Sequence, residues 1–303
     1  MGQVKGLISI RDLEKRDIED YFSLIEKMEK HLESGKPVLD GKIIATIFFE
    51  PSTRTHMSFQ AAAKRLGAQT ITLDVEKSSS RKGESLSDTI KIMDGYSDMI
   101  VIRHPLEGAA RFADTAAVHP VINAGDGGNQ HPTQTLIDLY TILKCKGSIN
   151  KMRVHLVGDL KYARAMRSLV YGLAMFGARM VLASPKGLEL DRELVREVRE
   201  KFDADIVEQN SIDLSDCDVL YVCRIQKERF ADQYEAEKVQ KEFRISEQYL
   251  ESAKKGMIIL HPLPKIDEIP EVVDESPMAR YFQQAKYGVP VRMAVIARLL
   301  GKA

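Results

Sequence analysis

Short apolar runs alternate along the chain with longer stretches whose apolar residues stand three and four apart. Ile18, Phe22, Ile25, Met28 and Leu32 form one helical stripe, which predicts a first helix capped by Asp17 and ended at Gly35 and Pro37. The apolar run from Ile43 to Phe49 predicts a buried parallel strand stopped by Pro51. Phe59, Ala62 and Leu66 then recur at helical spacing as far as Gly67, with Ser52 at the N-cap position. Further strands are predicted near Thr70 to Leu73, at Met99 to Ile102 and at Val121 to Asn123. Helices marked by Leu86, Ile90 and Met93 and by Gly108 to Ala117 lie between them. A helix from Pro132 to Gly147, apolar at Leu136, Leu139, Tyr140 and Leu143, leads into a second series. That series has strands at Val154 to Val157, Met180 to Ala183, Asp205 to Val207, Val219 to Val222 and Met257 to Leu260. One of its helices closes at Gly177, and the last, Val289 to Leu300, has apolar residues on several sides.

Strands and helices alternating at this length imply parallel sheets with helices on both faces. At 303 residues the chain exceeds the usual size of a single core. The expected fold is therefore α/β with two domains, each a Rossmann-like parallel-sheet α/β/α sandwich. The first is expected over 1–131 and the second over 148–287, joined by a bridging helix at 132–147. The C-terminal helix, 288–303, is expected to pack back on the first domain.

Sheets of this kind bind ligands at the carboxyl ends of their strands, and polar clusters fall there. After the Ile43 strand comes Glu50-Pro51-Ser52-Thr53-Arg54-Thr55. A helix start offers unpaired N–H groups and the positive end of the macrodipole, and here hydroxyls and a guanidinium are added, which makes a phosphate cradle. Taken alone, the same pattern fits a capped helix with a surface arginine. Arg103-His104-Pro105 follows the Met99 strand, and Gly125-Asp126-Gly127-Gly128-Asn129-Gln130-His131-Pro132-Thr133-Gln134-Thr135 follows the Val121 strand. His131 and Gln134 stand three apart at a helix start and share a face. In the second half, Gly158 to Arg164, Arg224 to Arg229 and His261-Pro262-Leu263-Pro264 follow strands in the same way. The polar segment Glu76 to Glu84 reads as a loop.

Composition narrows the function. Lys+Arg and Asp+Glu both number 44, so no net charge draws the chain to nucleic acid or to a membrane, and any anion must be gathered locally. No apolar run approaches the length of a membrane span and no secretion-type segment opens the sequence, so a cytoplasmic protein is expected. Cys145, Cys217 and Cys223 have no CxxC spacing and read as reduced core residues. No pair of histidines has HExxH spacing, so no metal is expected. Neither G-x-G-x-x-G nor GxxxxGK[ST] occurs, which argues against a nicotinamide or ATP site, and no cofactor is expected.

With these clusters laid out, the chain resembles the aspartate/ornithine carbamoyltransferase family over nearly its whole length. Ser52-Thr53-Arg54-Thr55 is similar to the family's carbamoyl-phosphate motif and His131-Pro132-Thr133-Gln134 to its second motif. The choice of acceptor rests on Ser78 to Glu84, on Arg224-Ile225-Gln226 and on the run at His261. Ornithine enzymes typically have a cysteine where this chain has Pro262, and Lys265 stands where aspartate enzymes often have arginine.

The resemblance implies carbamoyl transfer from carbamoyl phosphate to the amino group of L-aspartate, a step of pyrimidine synthesis. Ser52, Thr53, Arg54 and Thr55 would hold the phosphate. Thr55, Arg103 and His131 would face the carbonyl oxygen, and Gln134 with the Pro262 and Leu263 carbonyls would hold the carbamoyl NH2. Arg164, Arg224 and Gln226, with Lys82, would bind the aspartate carboxylates. The resemblance further implies that Ser78 and Lys82 reach the neighbouring subunit's site in a homotrimer, and it leaves room for separate regulatory chains. Closure of the two domains on the substrates would exclude water, with Glu50, Lys161 and Arg229 pairing between domains. The alternatives are another amine acceptor such as ornithine, a catalytically silent scaffold of the same family, and an unrelated phosphate-binding or nucleotide-binding α/β protein.

Overall fold

The computed structural model describes residues 5–75, 83–226, 230 and 232–302. The chain divides into two compact units, residues 1–136 with 287–303 and residues 137–286.

The first unit is built on β1 (Ile43–Phe48), β2 (Gln69–Leu73), β3 (Met99–His104) and β4 (Val121–Asp126), all parallel and in the order β2-β1-β3-β4. Around the sheet are α1 (Lys15–Ser34), α2 (Thr53–Arg65), α3 (Leu86–Gly95) and α4 (Ala109–Ala116). Successive strand residues face opposite ways, and β1 divides its neighbours accordingly. Ala45 and Ile47 enter a core with Ile90 and Met93 of α3 and Ala110 and Ala113 of α4. Thr46 and Phe48 face α2, where Thr46 Oγ1 lies 3.0 Å from His56 Nε2 and the Phe48 ring 4.6 Å from the His56 ring. Each large side chain buried in this way contributes about 1.5–3 kcal/mol.

The second unit is built on β5 (Arg153–Gly158), β6 (Arg179–Ala183), β7 (Ile206–Gln209), β8 (Val219–Cys223) and β9 (Ile258–Leu260), again parallel, in the order β7-β6-β5-β8-β9. Its helices are α6 (Arg164–Met175), α7 (Arg192–Phe202), α8 (Gln233–Glu242) and α9 (Glu247–Glu251). Val157, Leu220, Val222 and Ile259 share a buried cluster with Phe243, Ile245 and Tyr281. The strand order reverses direction of winding between β5 and β8, the position at which such sheets open a ligand crevice.

The division between the units falls inside α5 (Pro132–Lys146) and inside α10 (Tyr281–Leu299). Leu136, Ile137, Leu139, Tyr140 and Ile142 of α5 are all almost fully buried. In the first unit α10 is tied to α1 by Arg298, which donates to Asp17 at 3.1 Å and lies over the Tyr21 ring. Arg292 of α10 stacks 4.9 Å from the Phe59 ring of α2.

Several boundaries differ from the sequence pattern for physical reasons. The N-cap of α1 is Glu14 rather than Asp17, because Asp17 turns back to accept the Glu14 N–H at 3.0 Å as the other half of a capping box. Strand β4 continues past Asn123 to Asp126, where a register shift re-pairs Asp126 with His104. Helix α10 begins at Tyr281 rather than Val289, with Pro290 inside it, because Tyr281 and Gln284 are buried in the second unit. All three cysteines are free thiols, Cys217 and Cys223 buried and Cys145 half-buried.

Candidate functional site

In the first unit the polar clusters stand at the carboxyl ends of the adjacent strands β1, β3 and β4. Ser52 is the N-cap of α2 with extended backbone (φ −160°, ψ 92°), but its side chain makes no capping bond. The hydroxyl predicted to cap is therefore not turned onto the first-turn amides. Thr55 is buried, Ser52 half-buried, and Thr53 and Arg54 are exposed. Arg54 is exposed by area, yet the desolvation it does feel lowers its pKa from the ordinary arginine value. Ser58 Oγ donates to the Arg54 and Thr55 carbonyls at 2.7 and 3.0 Å, which fastens the first turn of α2 from below.

Arg103 is held rather than free-swinging. Its Nη2 donates to Glu50 Oε1 at 3.1 Å and its Nη1 to the Ala124 carbonyl at 3.3 Å, and its side chain is only 13% exposed. Glu50, expected in a pair between domains, thus meets Arg103 inside its own unit. The cause is register: Phe48 of β1 pairs with Arg103 of β3, so a carboxylate just beyond β1 lies beside the guanidinium.

His131 and Gln134 open α5, His131 buried and Gln134 half-buried. The loop that delivers them is organised by Asp126, which the sequence pattern did not single out. Asp126 Oδ1 accepts from Asn123 Nδ2 and the Gln130 N–H at 2.9 and 3.0 Å, and Oδ2 accepts from the Gly108 N–H and Asn129 Nδ2 at 2.9 and 3.1 Å. Gly127, at φ 54°, lies where a Cβ would come within 2.9 Å of the Pro105 carbonyl and the Glu107 N–H. The signal in the sequence is an Asx residue among glycines at the end of a strand.

In the second unit Arg164, Arg224, Gln226, Pro262 and Leu263 follow β5, β8 and β9, which are again adjacent strands. Arg164 opens α6 and is half-buried, as are Arg224 and Gln226. Gly158 is required by close packing and not by a nucleotide: a Cβ there would lie 2.0 Å from the Cys223 carbonyl oxygen of β8. Leu263 has left-handed backbone (φ 58°) and its N–H donates to His261 Nδ1 at 2.8 Å. Lys265 pairs with Asp274 at 3.2 Å, and Lys161 Nζ stands 5.3 Å from the centre of the Tyr162 ring. Ser78, Lys82 and Arg229 lie outside the described residues. Among the described residues no group of His, Cys, Asp and Glu could hold a metal ion, and no helix is long and apolar enough to cross a membrane.

Chemically, the first unit offers, past the ends of three adjacent strands, a helix N-terminus with an exposed arginine, a second arginine held in place and a buried histidine. That set suits a phosphate and an adjoining carbonyl oxygen. The second unit offers two arginines and an amide at a switch point, which suits a small dicarboxylate.

Comparison with known proteins adds independent findings. Residues 5–144 match the family model described as aspartate/ornithine carbamoyltransferase, carbamoyl-P binding domain, and residues 150–299 the one described as aspartate/ornithine carbamoyltransferase, Asp/Orn binding domain. The chain is 50% identical over 303 residues to the aspartate carbamoyltransferase catalytic subunit of Methanocaldococcus jannaschii, covering 98% of each. A solved structure of the M. jannaschii aspartate transcarbamoylase catalytic subunit is similar with a TM-score of 0.91 and 49% identity, covering 98% of each chain. Aspartate transcarbamoylase from Trypanosoma cruzi in complex with carbamoyl phosphate is similar with a TM-score of 0.92 and 36% identity, covering 96% of this chain and 94% of that one.

Proposed function

We propose, for a chain that belongs to the aspartate/ornithine carbamoyltransferase family, that it transfers the carbamoyl group of carbamoyl phosphate to the amino group of L-aspartate. The products are N-carbamoyl-L-aspartate and phosphate, and the reaction feeds pyrimidine synthesis. The observation that carries this reading is the start of α2, an N-terminus without a side-chain cap whose Arg54 lies just past the carboxyl end of the apolar strand β1. Support comes also from the relatives' names and from the T. cruzi complex with carbamoyl phosphate.

In this reading the first unit takes the phosphate on Ser52, Thr53, Arg54 and Thr55. The aspartate amine attacks the carbonyl carbon as a free base, and the carbonyl electron pair moves onto oxygen. Thr55, Arg103 and His131 stabilise that oxyanion, and the fixed Glu50–Arg103 contact favours the role because a pre-set donor needs no reorganisation. The bond from carbon to the phosphate oxygen then breaks, and the departing phosphate takes the proton released from nitrogen. Gln134 and the Pro262 and Leu263 carbonyls receive the carbamoyl NH2, while Arg164, Arg224 and Gln226 with Lys82 bind the aspartate carboxylates.

The same reading assigns the chain to a cytoplasmic homotrimer in which Ser78 and Lys82 serve the neighbouring site, supported by the motif around them. It keeps the domain limits of 1–131 with 288–303, 132–147 and 148–287. The test is an assay with carbamoyl phosphate and either aspartate or ornithine, followed by a native mass measurement. N-carbamoyl-L-aspartate as the main product supports the proposal, and carbamoylation of ornithine without aspartate turnover refutes it.

A further inference from the structure

Behind the turn after β9, the second unit holds a chain of buried polar side chains. Asp138 of α5 accepts from the Tyr221 hydroxyl of β8 at 3.0 Å and from Gln284 Nε2 of α10 at 2.6 Å. Gln284 Oε1 accepts the His261 N–H at 2.9 Å, and His261 Nε2 lies 2.7 Å from Glu268 Oε1. Asp138, Tyr221, Gln284, His261 and Glu268 are each at most 3% exposed. Burying this many polar groups is costly unless every bond is made, and the bonds converge on one histidine, Gln284 on its backbone N–H and Glu268 on its ring.

The protonation pattern follows from the partners. A backbone N–H only donates, so the His261 nitrogen that accepts from Leu263, Nδ1, carries a lone pair. The imidazole proton is then on Nε2, facing Glu268. Glu268 also accepts the N–H groups of Ile266 and Asp267, each at 3.1 Å. Burial pushes the Glu268 pKa up, but the bonds from His261 and the backbone outweigh it and the net shift is downward, so the group remains an acceptor. The imidazole is thus clamped on one side and presents a fixed acceptor on the other. That acceptor meets the N–H of Leu263, a residue whose left-handed backbone persists only where its surroundings hold it.

We propose that His261 is a positioning residue for carbamoyl transfer: through Nδ1 it fixes the turn whose Pro262 and Leu263 carbonyls receive the carbamoyl NH2. The proposal rests on the assignment of those two carbonyls made above. It differs from a merely structural role in a way that substrate choice exposes. Acetyl phosphate keeps the phosphate and the carbonyl of carbamoyl phosphate but has a methyl group in place of NH2, so it cannot donate to the turn. The ratio of kcat/KM for carbamoyl phosphate to that for acetyl phosphate therefore reports the turn, whereas a general loss of folded protein lowers both alike.

The experiment measures that ratio, with aspartate as acceptor, in the wild type and in His261→Gln and His261→Asn. Gln reaches Glu268 but places no acceptor near Leu263, and the ratio is expected to fall by about tenfold or more. Asn places its Oδ1 near the former Nδ1, and the ratio is expected to return to within about threefold of the wild type. A His261→Gln ratio within about twofold of the wild type overturns the proposal, even if both activities drop. A wild type with no preference for carbamoyl phosphate overturns the carbonyl assignment, and the proposal with it. Should His261→Gln fail to fold, Glu268→Gln, which keeps the imidazole but loosens its clamp, is measured in the same way. A fall of about threefold is expected, and an unchanged ratio overturns the proposal.

Discussion

Replacing Asp126 tests how the second motif is delivered. The carboxylate is 1% exposed and takes two donors on each oxygen, at 2.9 to 3.1 Å. In Asp126→Asn, one oxygen becomes NH2 and faces two donors whichever way the amide turns. The cheaper orientation keeps the oxygen toward Asn123 and Gln130, which are buried, and abandons Gly108 and Asn129, which water can reach in part. Losing two such bonds costs about 1–3 kcal/mol, and Asp126→Ala, which also strands the buried pair, about 3–5 kcal/mol. Because Gln130 directly precedes His131, the loosened loop should also raise KM for carbamoyl phosphate more than KM for aspartate. Urea unfolding followed by circular dichroism, paired with initial rates for each substrate, measures both effects. If Asp126→Ala loses under about 0.5 kcal/mol and keeps both KM values, the loop is not organised by this carboxylate and the reasoning fails.

Other outcomes follow from single contacts. Arg54→Ala should fold normally and lose most turnover, since it removes charge from the leaving-group site; activity within about threefold of the wild type, a barrier change below about 1 kcal/mol, would refute its role. Gly158→Ala should cost about 3 kcal/mol or leave the protein insoluble, because its Cβ has only the Cys223 backbone to occupy at φ 118°; an unchanged melting temperature contradicts this. Acid should destabilise the first unit through Asp94. Burial raises that pKa, but the Val118 and His119 N–H groups, at 2.9 and 3.0 Å, and the His119 ring lower it below the ordinary 3.8. Stability from a carboxylate with a depressed folded pKa is complete above its unfolded value and is lost as pH falls through the folded one. Asp94→Asn should therefore flatten the stability profile below about pH 4, and a profile as steep as the wild type's counts against the assignment.

Much of the strand-end chemistry was legible because it is local. Pro51 after an apolar run marks where β1 stops, and Ser52 to Thr55 then begin a helix whatever surrounds them. His131 and Gln134 are likewise placed by their spacing at a helix start. The differences from the sequence pattern are one shared cap and contacts between segments distant along the chain. Asp17 looked like a cap because the sequence does not show that Glu14 can occupy that position and Asp17 bond back to it. That Glu50 meets Arg103 follows from the pairing of β1 with β3, which sets Phe48 beside Arg103 and which the sequence does not show. The early start of α10 is hidden in the sequence because Gly288 and Pro290 weaken the local helical signal, while Tyr281 and Gln284 are stabilised by burial in the second unit.

By itself the sequence determined the α/β alternation, the segments that carry chemistry and the family motifs, since periodicity, turn residues and caps act within a few residues. Only the tertiary structure decided which of those segments become neighbours, in the orders β2-β1-β3-β4 and β7-β6-β5-β8-β9. It also decided which side chains hold others in place, as Glu50 holds Arg103, Asp126 the loop before His131, Glu268 the imidazole of His261 and Gln284 its backbone N–H. The physical reason is that a buried polar group must find its partners wherever the fold brings them, and their separation along the chain carries no signal.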